Sequence, residues 1–513
     1  MDRFLVIGGG SAGCVLARRL SDDLSVKVTL LEAGVANSHS VLKDPKQWPF
    51  LANTEFDWGF NTMPQEYTNW RSHRWPRGRV LGGSSSINAM AHVRGHLDDF
   101  DSWEANGCLG WGYADLLPYF VRSETSPYSE SPYHGTQGPL QLIQPDDPHP
   151  VTRCFMAAIE DQGYEPIDEH NGQFMIGPTL NTMTIVNNQR LSVADAYLAP
   201  ILPRDNLEIL DQCLVDKLLI DKDNRCIGVT YIRHNKQHHV YADNGVILCS
   251  GTIGSPQILL RSGIGAADHL ETLSIKPRVN LPGVGKNLHD HCLGAGNVYE
   301  SRRSLPQSKY QHSESLFYLD SDNATSAPDL VFACVTLPVV TEQFETPNFD
   351  SAYTLLYGVT SPESRGFIRL QSADPYAPPI IDPQYLSTSK DRDRFLEALD
   401  FARDIGGSKM FTDWRKREHL PGPKIRSKTR RRDFNRAAAY THHHPVGTCR
   451  MGVDSEAVIS PDLSVYGTEN LFIVDGSIIP KITTGPTNAA IVAMAEKASD
   501  ILLERPLLNK IYI

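Results

Sequence analysis

No apolar run in this chain approaches the roughly 20 residues that span a bilayer, so no transmembrane segment is expected. The nine cysteines form no C-x-x-C pair and no even spacing. That leaves neither a cysteine-based zinc site nor a disulfide framework, and no metal is expected. Positive charge is in deficit, with Lys+Arg 49 against Asp+Glu 60 and a net charge of -11. Such a balance argues against nucleic acid or an anionic membrane as the main partner. The chain runs straight into its first apolar stretch with no signal peptide, and a cytoplasmic location is the expectation. Internal repeats and low-complexity segments are missing, which excludes solenoid architectures. The one basic run, residues 424–432 (KIRSKTRRR), is isolated and reads as a solvated helix or loop face.

What is present is an average globular composition, 41% hydrophobic and 21% charged over 513 residues, too long for one ordinary domain. Residues 4–32 (FLVIGGGSAGCVLARRLSDDLSVKVTLLE) organise it. A short apolar strand runs into Gly8, Gly10 and Gly13 at G-x-G-x-x-G spacing, then a helical pattern, then a second strand ending in Glu32. Glycine lets a pyrophosphate approach the backbone, the N–H groups opening the helix face phosphate, and a carboxylate at this distance accepts from a ribose hydroxyl. An acidic residue there favours a free 2′-hydroxyl, so FAD or NAD over NADP.

Further along, periodicity breaks into a Trp- and Pro-rich excursion that contains residues 78–88 (GRVLGGSSSIN), whose small residues permit a close ligand. Residues 114–125 and 150–162 read as helices, and 206–229 as two strands around a turn at 221–224. Residues 245–249 (GVILC) read as a buried strand running into a small-residue turn and a helix, which repeats the opening architecture. From about 291 to 441 the alternating stretches 353–359 and 366–371, many prolines and a charged helix near 390–405 predict a mainly antiparallel sheet with helices on one side. The chain then returns with a strand at 470–475 and a helix over 487–503, for which Thr487 or Asn488 is a suitable N-cap. The fold class expected is α/β: a doubly wound, Rossmann-like dinucleotide domain (1–147, 188–290 and 442–513) and a second α+β domain (148–187 and 291–441).

Taken together, the opening motif, residues 78–88, residues 251–265 (GTIGSPQILLRSGIG), 281–290 (LPGVGKNLHD), 444–452 (HPVGTCRMG) and 474–477 (VDGS) resemble the glucose–methanol–choline (GMC) oxidoreductases, in order and over essentially the whole chain. The resemblance implies a bound FAD and oxidation of an alcohol carbon by hydride transfer to flavin N5. Implied cofactor contacts in the opening domain are Gly8, Gly10, Ser11, Ala12 and Gly13, with Glu32 and Ala33. Arg79, Gly82, Gly83, Ser84 and Asn88 follow in the serine-rich loop, then Val215, Asp475, Gly476 and Asn488. Where some members attach the flavin through a histidine, this chain has Ile87, so FAD should be non-covalent. His92, four positions after Asn88, is a second departure from the family pattern.

Oxidising an alcohol also requires a base near neutral pH, which suits histidine. Of 18 histidines, the run THHHPV at 441–446 stands out. Pro445 biases His444 to an extended conformation, and an extended run would put His442 and His444 on one face. By resemblance His444 is the catalytic base. The family's second catalytic position, an Asn or His, falls on Pro486, which has no donor. His442 then takes that role, a His-x-His pattern with proline that the family branch acting on pyridoxine shows. The expected substrate is a small polar primary alcohol, pyridoxine first; the electron acceptor is dioxygen, or a quinone or carrier. The alternatives are a choline or general primary alcohol dehydrogenase, and a lyase or non-redox flavoprotein.

Overall fold

The computed structural model describes residues 2–322 and 327–513. Its first sheet is wholly parallel, with strands in the order Leu207–Leu210, Val26–Leu31, Asp2–Ile7, Gly245–Leu248 and Leu471–Ile473. Leu5, Val6, Val28, Leu30, Ile247 and Leu248 are all fully buried, as expected of parallel strands covered on both faces. The helix Ser11–Ser21 leaves the first strand through the glycine turn and packs against the last helix, Thr487–Leu502. The two ends of the chain therefore share one core.

The second sheet is antiparallel. Its order is Arg415–Leu420, Val298–Ser301, Ala352–Val359, Leu330–Val335, Ser315–Leu319 and Thr179–Leu180, and Cys292–Gly294 joins Ala352–Val359 to Ala439–Thr441. The helix Ser389–Gly407 covers one face through Phe395, Leu399 and Ala402. The other face, with Leu293, Leu316, Ala333 and Leu356, looks onto a large cavity. This strand membership supports the two-domain division, which we propose with the boundaries given above.

Local differences from the sequence expectations have simple causes. The stretch 206–229 holds three strands: Leu207–Leu210 joins the parallel sheet, while Leu214–Ile220 and Cys226–Arg233 flank the expected turn in a separate antiparallel sheet. Phe367–Arg369 pairs with Ile380–Asp382 in a small ribbon of its own, so it does not extend the large sheet. The basic run is the start of the helix Lys428–Ala438, capped by Ser427, with Arg431 and Arg432 paired to Asp400 and Asp393. Among the described residues no helix is long and apolar enough to cross a membrane.

Candidate active site

The cavity, of ≈ 1230 Å³, lies between the carboxyl ends of the parallel strands and the open face of the antiparallel sheet. Ligands of doubly wound sheets bind at that position. Gly8 turns with φ +106, and a Cβ on Gly13 would stand 1.9 Å from the Gly8 carbonyl oxygen, so helix and strand meet there with no room for a side chain. Gly10 is different: a Cβ there would meet no protein atom closer than 4.0 Å. Protein packing does not demand that glycine, whereas a phosphate lying on the helix N-terminus would. The second glycine loop closes the same wall, because a Cβ on Gly83 would touch Gly10 Cα at 2.7 Å.

The carboxylate of Glu32 sits at this wall, where Oε2 accepts from Gly9 N at 2.7 Å and Oε1 from Gly34 N at 2.7 Å. Burial pushes its pKa up to about 7, against the backbone donors that hold it down. Asp475 accepts from Gly251 N, Ser255 Oγ and Ser477 N, which ties the strand Leu471–Ile473 to the helix Gly251–Arg261. Asn88 Oδ1 accepts from Met90 N and from the buried Arg190. Ser84 Oγ accepts from Gly78 N. Of the residues expected to contact the cofactor, all line the cavity except Gly13 and Gly82, which pack behind its wall. These groups suit a dinucleotide: a glycine cradle, helix N–H donors and an acceptor at ribose distance. His92 does not reach the cavity; its Nε2 meets Glu124 at 3.2 Å.

At the other end, the antiparallel pairing of Cys292 with Thr441 sets His291 beside His442, whose N–H donates to the His291 carbonyl at 2.9 Å. His291 Nδ1 lies 3.0 Å from His444 Nδ1, and the rings of His442 and His444 are 4.4 Å apart. Sequence reasoning missed His291, although it follows directly on the segment 281–290 that ended at Asp290. Asp290 was missed as well. Its carboxylate accepts from His444 N at 2.8 Å and from the hydroxyls of Thr441 and Tyr385. The 442–444 run is not the regular extended stretch expected, because His443 takes a positive φ of 65. The carbonyl of His443 accepts from Arg77 at 2.5 Å, and His442 and His444 still converge on the cavity.

Burial, with no carboxylate against any of the rings, holds His442 and His444 well below the usual imidazole range. Neighbouring imidazoles push the same way, as does Arg77 for His444. Burial also lowers His291, to about 4. All three are neutral at pH 7, the form that accepts a proton. The carbonyls of Thr360 and Thr483 face His291 without a well-aligned bond to its Nε2. With the proton of the His291–His444 contact on His444 Nδ1, His444 Nε2 keeps its lone pair toward the cavity.

Pro486 lines the cavity and is itself the N-cap of the last helix, which has no side-chain cap. This corrects the assignment of Thr487 or Asn488 as cap: Asn488 Oδ1 instead accepts from Ser11 Oγ at 2.6 Å. The helix thus presents free N–H groups and its positive end to the cavity.

Comparison with known proteins gives a consistent answer. Two family models described as GMC oxidoreductase match residues 2–293 and 362–495. Pyridoxine 4-oxidase of Microbacterium luteolum is 40% identical over 499 residues, 96% of this chain and 97% of its own. Human mitochondrial choline dehydrogenase is 36% identical over 540 residues, 98% of this chain and 90% of its own. Among solved structures, pyridoxine 4-oxidase from Mesorbium loti superposes with a TM-score of 0.94 at 40% identity, covering 97% of this chain and 98% of that one. The cradle, the cavity and these matches lead to one conclusion: the chain belongs to the GMC oxidoreductase family and is an FAD-dependent alcohol oxidoreductase.

Proposed function

We propose that the protein oxidises the hydroxymethyl group of pyridoxine to the aldehyde, with FAD held non-covalently. The observation that carries this reading is the pair of neutral imidazoles, His442 and His444, in a cavity that Pro486 also lines, at the position where the family resemblance expects a polar side chain. When bound, FAD supplies the acceptor for the carbinol hydride. His444 takes the hydroxyl proton at Nε2, and Asp290 and His291 hold its backbone and ring in place. His442 orients the developing alkoxide. Apolar walls, including Leu293, Leu316, Ala333 and Leu356, keep water from the reacting carbon.

With Pro486 unable to hold the substrate oxygen, a ring bearing its own polar groups gains most from contacts away from the carbon. Choline is disfavoured on charge. Only Glu32 and Asp475 among the lining residues are acidic, and backbone and hydroxyl donors already occupy both. The relatives named above are redox enzymes, which supports hydride removal over the lyase reading. Ile87 lines the cavity where a covalent histidine would sit, so acid precipitation should release free FAD.

Anaerobic flavin reduction by pyridoxine, benzyl alcohol and choline at equal concentration tests the substrate. Pyridoxine should lead by at least tenfold, about 1.4 kcal/mol of transition-state preference. A tenfold lead for choline or benzyl alcohol would replace the reading with a general primary alcohol dehydrogenase. An oxygen pulse after reduction then separates dioxygen from a quinone or carrier as acceptor.

A further inference from the structure

His291, His442 and His444 bring one nitrogen each within 4.8 Å of one another, and among the described residues no other group of His, Cys, Asp or Glu was found at metal-ligand spacing. We propose that these three imidazoles form a binding site for a borderline divalent cation of the zinc or copper class, and that its occupation switches the enzyme off. The expectation that no metal binds rested on cysteine spacing. This ligand set is invisible to that argument, because it holds no cysteine, and His291, 153 residues from His444, meets the pair only through the strand pairing of Cys292 with Thr441.

The donor chemistry selects the ion. Three imidazole nitrogens with no carboxylate oxygen and no thiolate suit zinc, copper, nickel or cobalt and reject magnesium and calcium. Tetrahedral zinc with Zn–N of about 2.0–2.1 Å needs its nitrogens about 3.3 Å apart, and the His291–His444 pair already stands at 3.0 Å. Three protein ligands leave a fourth position, which here opens to the cavity that His442 and His444 line. Asp290 sits behind the group, bound to the His444 backbone N–H, and sets a negative charge against the cation. Arg77 is the opposing charge; its guanidinium is spent on the carbonyls of Pro76 and His443.

The switch follows from the proton count. A cation bridging Nδ1 of His291 and Nδ1 of His444 displaces the one proton that these atoms share. That proton moves to Nε2 of His444, so no net proton is released and the nitrogen facing the alcohol loses its lone pair. Metal and alcohol oxidation thus exclude one another. This inhibition rests on His444 serving as base, whereas binding itself does not depend on the substrate.

Equilibrium dialysis of the FAD-loaded enzyme against Zn²⁺ should retain one equivalent per chain, and Co²⁺ should add d–d bands of tetrahedral intensity beyond the flavin absorption. His291→Gln should lower zinc affinity at least a hundredfold. The exposed pair His238→Gln/His239→Gln, away from the cavity, should leave it unchanged. Zinc should also abolish anaerobic flavin reduction by pyridoxine, reversibly by chelation. Zinc retention unaltered in His291→Gln, or wild-type enzyme without cobalt d–d bands, would overturn the site. If that variant fails to retain FAD, the cobalt spectrum of the wild type decides alone. A tight zinc equivalent that leaves flavin reduction at its metal-free rate would overturn the switch. If pyridoxine is no substrate but zinc still binds through His291, the substrate reading falls and the site stands.

Discussion

His444 and His134 are both enclosed by protein, yet their pKa values move in opposite directions. His444 meets only other imidazoles and Arg77, and it stays neutral well below its ordinary range. His134 lies between two carboxylates, with Nδ1 2.7 Å from Glu124 and Nε2 2.6 Å from Glu169. Burial alone would lower its pKa, but the two hydrogen bonds outweigh it and raise the value. Glu124, fully buried, is held well below the carboxylate range against its own burial by Arg94 at 2.7 Å, His134 and His92. Desolvation acts in one direction on every imidazole; the partner decides the sign. The cluster of His291, His442 and His444 keeps carboxylates off its rings and holds its imidazoles neutral. The second cluster pairs every charge and makes a structural tie.

The contrast can be broken from either side. His444→Ala should lower anaerobic flavin reduction by about 10²–10⁴, the range for a lost general base, with FAD still bound. Stopped-flow bleaching of the flavin measures it, and a near-normal rate would remove the assignment. Glu124→Gln removes the carboxylate that Arg94, His134 and His92 share, leaves the buried Arg94 cation without its carboxylate, and should cost about 3–5 kcal/mol of stability. Denaturant unfolding reads that loss, and the rate per folded, FAD-loaded molecule should stay within a few-fold of the parent.

Acidity should act in opposite directions on the two clusters. The folded-state value of His134 lies above the unfolded 6.5, so its stabilisation is fully present below about 6.5 and is lost as pH rises through the folded value. His444, the proposed base, has a lowered value, so flavin reduction should be flat through neutral pH and fall only well below 6.5. The difference in unfolding midpoint between the parent and His134→Gln, together with the parent's reduction rate, followed from acid to alkaline pH, tests both signs. The smallest effect belongs to charges that meet in water. Arg432 pairs with Asp393 at 2.8 Å with both side chains about half exposed, and Arg432→Ala should change stability by no more than about 1 kcal/mol.

The dinucleotide cradle was legible in the sequence because its physics is local. Strand, glycine turn, helix and carboxylate lie within residues 4–32, and no distant contact is needed to specify them. His442 and His444 were legible for the same reason, two histidines of one run beside a proline. The N-cap was misread because Asn488 at a helix start satisfies the local rule; its side chain turns instead to Ser11, 477 residues away. His291, Asp290 and the His134 tie escaped because nothing local distinguishes them. Antiparallel register places His291 against His442, and packing aims His134 at two carboxylates 10 and 35 residues distant. The sequence by itself determined the family, the parallel sheet with its glycine cradle, and two of the three clustered histidines, since short-range spacing encodes each. Only the tertiary structure decided which buried histidines have their pKa lowered and which raised, because that depends on which side chains long-range strand pairing and packing bring within about 3 Å of each ring.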